Sequence, residues 1–327
     1  MASIQCIKQQ QADASLWGAQ GEDQSFDQVQ CRVTLPVASM ASHPSWGKGV
    51  FIGLGVATWP WNAQATLSAF RAQMPATASL NYPPGIRECH RPCEVNPSAR
   101  RVQALRNGKI VVFDSEHRAE EWQLSDDILK KNKSHEADFV ESIGDGHPLI
   151  LCSQSKCRLV NEGTGQEESA WGAEGRILGL ASVGKSVFAL EFRSNKCSVC
   201  DVFSKVQVGT LPISSAPVSA RCISAVDDSN HFGVMEEHQI ALFDIRRITT
   251  PVATLPGRYE CAALRGDTVL AAIGASVIVF RCPADRHCKS HGSEQHTAPI
   301  LSIAWTMTTR ITSDASGHLL ASDIKEL

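Results

Sequence analysis

A short motif recurs along this chain at intervals close to forty residues. Four segments share it, each an apolar run that ends in aspartate: "NGKIVVFD", "NKCSVCD", "HQIALFD" and "GHLLASD". Weaker copies of the same register end at Arg71, Asn161 and Arg281. The seven end points, at 71, 114, 161, 201, 244, 281 and 323, are 37 to 47 residues apart. Apolar residues on both faces predict strands that are covered on two sides. A regular repeat of this length indicates one supersecondary unit stacked several times.

The pattern resembles the WD-repeat family, whose blades are four-stranded units of this length. The resemblance implies an all-β chain, a seven-bladed β-propeller spanning residues 1–327, with the third strands of the blades ending near the seven positions above. The last copy, "HTAPILSIAWTMTTRITSDASGHLLASDI", matches best and places His296 where the family has a histidine. No segment contains the Trp-Asp pair itself, and Ser316 and Asn107 stand where the family places an aspartate.

The C-terminal blade is expected to need a fourth strand from elsewhere, because four residues follow Asp323. In the WD-repeat family an N-terminal segment supplies that strand and closes the ring. We therefore expect either "SIQCIKQ" or "FDQVQCRVTL" to pair with the last blade. Closure of this kind removes an exposed sheet edge that would otherwise promote aggregation.

Composition favours a soluble protein of the cell interior, cytoplasmic or nuclear. The net charge is -3, so the chain lacks the positive field that non-specific nucleic-acid binding uses. Its longest uncharged apolar run, "TVLAAIGASVIVF", is too short to span a bilayer, and the N-terminus lacks a signal-peptide pattern. In this setting most of the 12 cysteines are expected to be reduced, apolar packing residues.

Two cysteine motifs raise the question of a metal or redox site. Cys197 and Cys200 form a Cys-x-x-Cys, but both lie on a predicted strand at positions that hold Ile, Leu or Phe in other copies. Residues three apart on a strand face opposite sides, so core packing is favoured. A second cluster lies between Cys282 and His296, and zinc is the alternative to an ordinary connector there. The segment "ECHRPCE" contains two cysteines and a histidine and is a weaker candidate for a zinc site. We predict no metal and no cofactor.

Two segments outside the repeat favour partner binding. "ATWPWNAQ" places Trp59 and Trp61 in a turn of blade one, where tryptophan has no core to fill and is a common interface anchor. The long segment 74–101 is proline-bearing and basic, and recognition tends to reside on such loops. The predicted partner-binding residues are Trp59, Trp61, Arg87, Arg91, Arg100 and Arg101.

These features favour a protein-interaction scaffold over an enzyme, because no catalytic constellation stands out from the repeat. Blade one, "FIGLGVATWPWNAQATLSAF", is similar to that of the methylosome WD-repeat subunit. That resemblance implies docking on a symmetric arginine methyltransferase through Trp59 and Trp61. The alternatives are a propeller that binds RNA or an acidic peptide through residues 87–101, and a zinc-bearing structural subunit.

Overall fold

Seven antiparallel sheets follow one another along the chain, five of four strands and two of five. The computed structural model describes residues 6–7, 28–59, 62–75, 84–89, 92–125, 128–144, 147–184, 186–194, 196–213, 221–224, 230–282, 288–306 and 309–323. The first strands of neighbouring sheets pack together, so the sheets stand as blades around a central axis. The predicted all-β, seven-bladed β-propeller is confirmed.

The N-terminal strands and the first four blades account for residues up to 211. The N-terminal strands are β1 (Cys6–Ile7) and β2 (Gln28–Arg32). Blade one contains β3 (Val37–Ser42), β4 (Val50–Trp59), β5 (Asn62–Gln73) and β6 (Gly85–Glu88), with β7 (Cys93–Glu94) also pairing with β5. Blade two contains β8 (Ala99–Ala104), β9 (Ile110–Asp114), β10 (Arg118–Ser125) and β11 (Ile128–Glu136). Blade three contains β12 (Phe139–Glu141), β13 (Leu149–Cys152), β14 (Lys156–Val160) and β15 (Glu167–Gly172). Blade four contains β16 (Arg176–Val183), β17 (Ser186–Arg193), β18 (Lys196–Asp201) and β19 (Val206–Leu211).

The last three blades complete the ring. Blade five contains β20 (Arg221–Ser224), β21 (His231–Met235), β22 (Gln239–Asp244) and β23 (Ala253–Pro256). Blade six contains β24 (Cys261–Arg265), β25 (Thr268–Ile273), β26 (Ser276–Arg281) and β27 (Lys289–Gln295). Blade seven contains β28 (Ile300–Trp305), β29 (Thr309–Asp314) and β30 (His318–Asp323). Two short 3₁₀ turns, Pro44–Trp46 and Ile245–Arg247, lie between strands. No helix in the described ranges is long and apolar enough to cross a bilayer.

The core lies between the blades, and strand alternation divides each blade between its two neighbours. In blade one, Phe51 is fully buried in a cluster with Ile311 of blade seven. The next residue, Ile52, is fully buried in a different cluster with Ile110 of blade two. Successive side chains on a strand point to opposite faces. Because both faces of the middle strands are buried, their sequences are continuous apolar runs.

The ring closes through β2, which lies in "FDQVQCRVTL", one of the two candidate segments. β2 pairs antiparallel with β30, with Val29 opposite Ala321 and Cys31 opposite Leu319. Val29 and Cys31 are both buried in the cluster shared by blades seven and one. The other candidate segment also contributes, because β1 adds a fifth strand by pairing with β2.

Blade two departs from the predicted strand order. Asp114 was expected to end a third strand, but β9 is the second strand of its sheet, and the third strand ends at Ser125. The prediction was wrong because the second and third strands of a blade are both covered by neighbouring blades and carry similar apolar runs. In blades one and three the third strands end at Gln73 and Val160, within two residues of the predicted positions.

The aspartates that hold the blade turns are also not at the expected positions. Asp314, and not Ser316, accepts hydrogen bonds from the backbone N–H groups of Ser316 at 2.9 Å and His318 at 3.0 Å. It also pairs with His296 Nδ1 at 3.1 Å. Burial alone would raise the pKa of Asp314, but hydrogen bonds from Ser316, His318 and His296 hold it below its usual range.

Blade two repeats this arrangement with Asp114. Its carboxylate accepts from the backbone N–H groups of Glu116 at 2.8 Å and Arg118 at 3.0 Å. Asn96 Nδ2 donates to it at 3.0 Å, from the position that His296 occupies in blade seven, 18 residues earlier in both cases. Asn107 is instead in the turn between β8 and β9, where its amide donates to Glu162.

A buried charge network joins blades six and seven. Glu294 is 5% exposed and receives hydrogen bonds from Thr312 at 3.1 Å and Ser322 at 3.3 Å. The Arg310 guanidinium, also 5% exposed, lies 3.1 Å from its carboxylate.

Replacing Glu294 by alanine is expected to destabilise the protein by about 3 to 5 kcal/mol, because it removes a buried ion pair with Arg310 and the hydrogen bonds from Thr312 and Ser322. Urea denaturation measures the loss. The control is Glu237→Ala, since Glu237 is exposed, and that change is expected to cost less than about 0.5 kcal/mol. Equal midpoints for the two variants would contradict a structural role for the network.

Candidate interaction face

One face of the disc carries the turns between second and third strands together with the connections between blades. This follows from the antiparallel order of the blades, because every first strand starts at the same face and every second strand returns to it. We refer to this face as the turn face. It includes the end of β4 at Trp59 and the start of β5 at Asn62.

The second and third strands of blade one form a ribbon on the turn face. β3 pairs with β4 only as far as Gly55, and β7 pairs with β5 at Thr66 and Leu67. Beyond these, β4 and β5 continue as a two-stranded ladder through Ala57–Gln64, Thr58–Ala63 and Trp59–Asn62. Among the described residues no further strand pairs with these three rungs. At about 3.3 Å per residue the ladder extends roughly 10 Å.

This blade-one ribbon, residues 57–59 and 62–64, is uncharged. The sequence from Val56 to Thr66 contains no acidic or basic residue. Ala63 and Gln64 are exposed. An uncharged ribbon with exposed residues is a surface of the kind that protein interfaces use.

A cleft of about 270 Å³ opens on the turn face where blades two, three and four meet. It is formed by the first residues of three inner strands, β8, β12 and β16, and by the second-to-third-strand turns of blades two and three. Three arginines line it: Arg100, Arg101 and Arg176. We refer to it as the arginine cleft.

Arg101 is a fixed part of the arginine cleft. Its guanidinium carbon lies 4.0 Å from the ring centroid of Phe113 and 5.7 Å from that of Phe139. Its Nη2 donates to the backbone carbonyl of Asp138 at 3.0 Å. Stacking on two rings and a hydrogen bond across the blade boundary orient this side chain.

The two aspartates of the arginine cleft already have cationic or amide partners. Asp114 accepts from Arg118 Nε at 2.9 Å in addition to its turn hydrogen bonds. Burial opposes ionisation of Asp114, but the hydrogen bonds from Arg118 keep its pKa below the usual range. Asp138 pairs with His117 Nδ1, and this hydrogen bond raises the pKa of His117.

Arg100 and Arg176 differ from the other charged residues of the cleft. Both are exposed, and within the described parts of the chain neither forms a hydrogen bond or ion pair. The cleft therefore contains three arginines against two aspartates, and both carboxylates are engaged. The groups of the cleft that remain available to a ligand are therefore the guanidinium donors of Arg100 and Arg176.

The structure distributes the predicted partner-binding residues over two blades. Trp59 ends β4, whereas Trp61 and Arg91 lie outside the described residues. Arg87 is exposed on β6, the outer strand of blade one. It does not join Arg100 and Arg101, which lie on the innermost strand of blade two. The segment 74–101 therefore does not present these three arginines as one patch.

The Cys-x-x-Cys motif packs in the core. Cys197 is fully buried and Cys200 is 6% exposed, and both are free thiols on β18. Burial raises the pKa of Cys197 to about 12 and that of Cys200 to about 11. Neither thiol forms the thiolate that metal binding or redox exchange requires at neutral pH.

Six of the described cysteines are free thiols, as expected for most of them, and four form disulfides. Cys152 pairs with Cys157 across the turn between β13 and β14, and Cys282 pairs with Cys288. The second disulfide uses two of the residues considered for zinc, and His296 is hydrogen-bonded inside blade seven. No group of three His, Cys, Asp or Glu residues among those described is placed to hold a metal ion.

Arg176, His117 and Asp138 do not stand out in the sequence as site residues. They lie far apart along the chain and meet only because the inner strands of neighbouring blades start at the same face. The first strands of these blades do share a pattern that could have revealed the site. A charged residue lies at or just before the start of each one: "ARRVQA", "FVE" and "RILGLASV". Aligning the first strands, in addition to the third, would have placed Arg100 and Arg176 at the same rim.

Comparison with known proteins supports the architecture. No protein-family model matches the sequence, and no curated protein matches it. Among solved structures, the chain is similar to one from a crystal structure of the mitotic checkpoint complex, with a TM-score of 0.64 and 11% identity over 97% of this chain and 98% of that one. At this identity the likeness shows the fold alone, a seven-bladed propeller.

Proposed function

We propose that this protein is a non-catalytic interaction scaffold that binds a protein partner on its turn face. The observation that carries the proposal is the blade-one ribbon, an uncharged ladder of three residue pairs that no further described strand covers. Its sequence ends in tryptophan at Trp59, with a second tryptophan two residues later. Tryptophan buries a large area at a small entropic cost, so a ribbon of this composition suits a protein interface.

The propeller architecture supports the same function. A rigid ring leaves its faces free for recognition, and the similar chain in the mitotic checkpoint complex belongs to a multiprotein assembly. For this chain we propose a cytoplasmic or nuclear assembly. We further propose that the partner is an arginine methyltransferase, on the basis of the blade-one sequence "FIGLGVATWPWNAQATLSAF".

Affinity capture from the native cell tests the proposal. The double variant Trp59→Ala, Trp61→Ala is expected to lose a stoichiometric partner that the wild type retains. The matched control is Val206→Ala, Val208→Ala, which removes apolar side chains that are 59% and 46% exposed on the outer strand of blade four. Mass spectrometry identifies the partner, and a methyl-transfer assay on the captured complex tests the methyltransferase proposal separately. Equal recovery by both variants would contradict docking through the ribbon.

A further inference from the structure

We propose that the arginine cleft binds an acidic segment of a protein partner, with Arg100 and Arg176 holding the anionic group of one side chain. The inference rests on the proposed function in that the ligand is part of a protein. It does not depend on the ribbon, because the cleft is built from blades two, three and four.

The first argument is charge complementarity. Arg100 and Arg176 are exposed in the cleft, on β8 and β16, and have no ion-pair partner among the described residues. The nearby carboxylates are not competitors, because Asp114 is bonded by Arg118 and Asp138 by His117. Guanidinium groups form short, bidentate hydrogen bonds with carboxylates and phosphates.

The second argument is that the cleft is built before a ligand arrives. Arg101 stacks on Phe113 and bonds to the Asp138 carbonyl, which fixes one wall. The backbone N–H of Ile177 donates to the carbonyl of Gln154 at 2.7 Å, which joins the two other blades at the same point. A preorganised site loses less entropy on binding.

The third argument concerns the class of partner. A volume near 270 Å³ accommodates one or two side chains of an extended segment. Binding of single-stranded RNA uses free aromatic faces on which bases stack. Both aromatic rings of the cleft, Phe113 and Phe139, are instead next to the Arg101 guanidinium. The geometry thus favours an acidic peptide over a nucleic acid.

Fluorescence anisotropy with purified protein tests the inference. The probes are three labelled twelve-residue peptides that differ only at alternate positions, which hold glutamate, phosphoserine or glutamine, and a labelled twelve-nucleotide oligouridine. The variant Arg100→Glu, Arg176→Glu is compared with Lys130→Glu, Lys205→Glu, which changes the net charge equally at two exposed lysines outside the cleft.

The wild type and the lysine control are expected to bind the glutamate or the phosphoserine peptide at least tenfold more tightly than the glutamine peptide. The cleft variant is expected to lose that tenfold preference. The ratio of the dissociation constants for the glutamate and phosphoserine peptides shows which anionic group the cleft prefers. Binding that is equal in the two variants, absent for both acidic peptides at low salt, or tighter for oligouridine would overturn the inference. Because the assay uses no cellular partner, its result is independent of the affinity capture.

Discussion

Deleting residues 1–34 is expected to lower the yield of soluble protein by roughly tenfold. The deletion removes β2, which leaves β30 as an unpaired edge and blade seven with three strands. It also removes Val29 and Cys31 from the buried cluster between blades seven and one. An exposed, apolar strand edge of this kind pairs with other molecules and promotes aggregation.

Point substitutions distinguish the loss of the closing strand β2 from a general effect of shortening the chain. Cys31→Asp places a charge at a position that is 2% exposed, and is expected to cost about 4 kcal/mol or more. Gln28→Asp makes a similar change at an exposed position of the same strand and is expected to have little effect. Urea denaturation and size-exclusion chromatography give the comparison. If Cys31→Asp were as stable as Gln28→Asp, the N-terminal strand would not close the ring.

Replacing Glu141 by glutamine is expected to stabilise the protein above pH 7 and to have little effect near pH 4. Glu141 ends the inner strand of blade three and is 3% exposed. Its carboxyl accepts hydrogen bonds from Gln103 Nε2 at 3.0 Å and the Ser142 backbone N–H at 3.2 Å. Burial nevertheless raises its pKa from 4.5 to about 7, so the folded protein favours the neutral acid.

The direction of the pH effect follows from linkage. Because the folded protein binds this proton more tightly than the unfolded chain, the contribution of Glu141 to stability is complete below pH 4.5 and is lost as the pH rises through about 7. A shift of this size corresponds to about 3 kcal/mol. Glutamine cannot ionise, so the variant avoids the loss.

Thermal unfolding at several pH values measures this effect. Glu141→Gln is expected to melt about 4 °C higher than the wild type at pH 8.5, and at the same temperature at pH 4.5. Glu136→Gln, at an exposed position, is the control and should follow the wild type throughout. A difference between Glu141→Gln and the wild type that does not change with pH would contradict a buried acid at this position.

The blade number and the ring closure could be predicted from the sequence because both depend on local patterns. Strands covered on two sides carry apolar runs, and these recur with the period of the blade. Two segments remained candidates for the closing strand, and in the structure it is β2, whose buried Val29 and Cys31 alternate with less buried residues. Blade two was misassigned because "IVVFD" is a second strand with the apolar pattern of a third.

The candidate site could be predicted only in part. Trp59 and Arg100 were identified as local features, but the arginine cleft depends on Arg176, which is 76 residues further along the chain. Contacts of this kind depend on the angle between blades, and the repeat pattern does not contain that angle. Arg101 was predicted to bind a partner as part of the long basic segment 74–101, and its stacking on Phe113 could not be predicted from that segment.

The most direct test of a partner-binding turn face is quantitative affinity capture of the wild type alongside the ribbon variant and the cleft variant. We expect one stoichiometric partner with the wild type and with Val206→Ala, Val208→Ala, and at least a tenfold lower recovery with Trp59→Ala, Trp61→Ala. If the same partner supplies the acidic segment, Arg100→Glu, Arg176→Glu also loses it. Full recovery of the partner by both turn-face variants, in folded form, would contradict the assignment of this face as the binding surface.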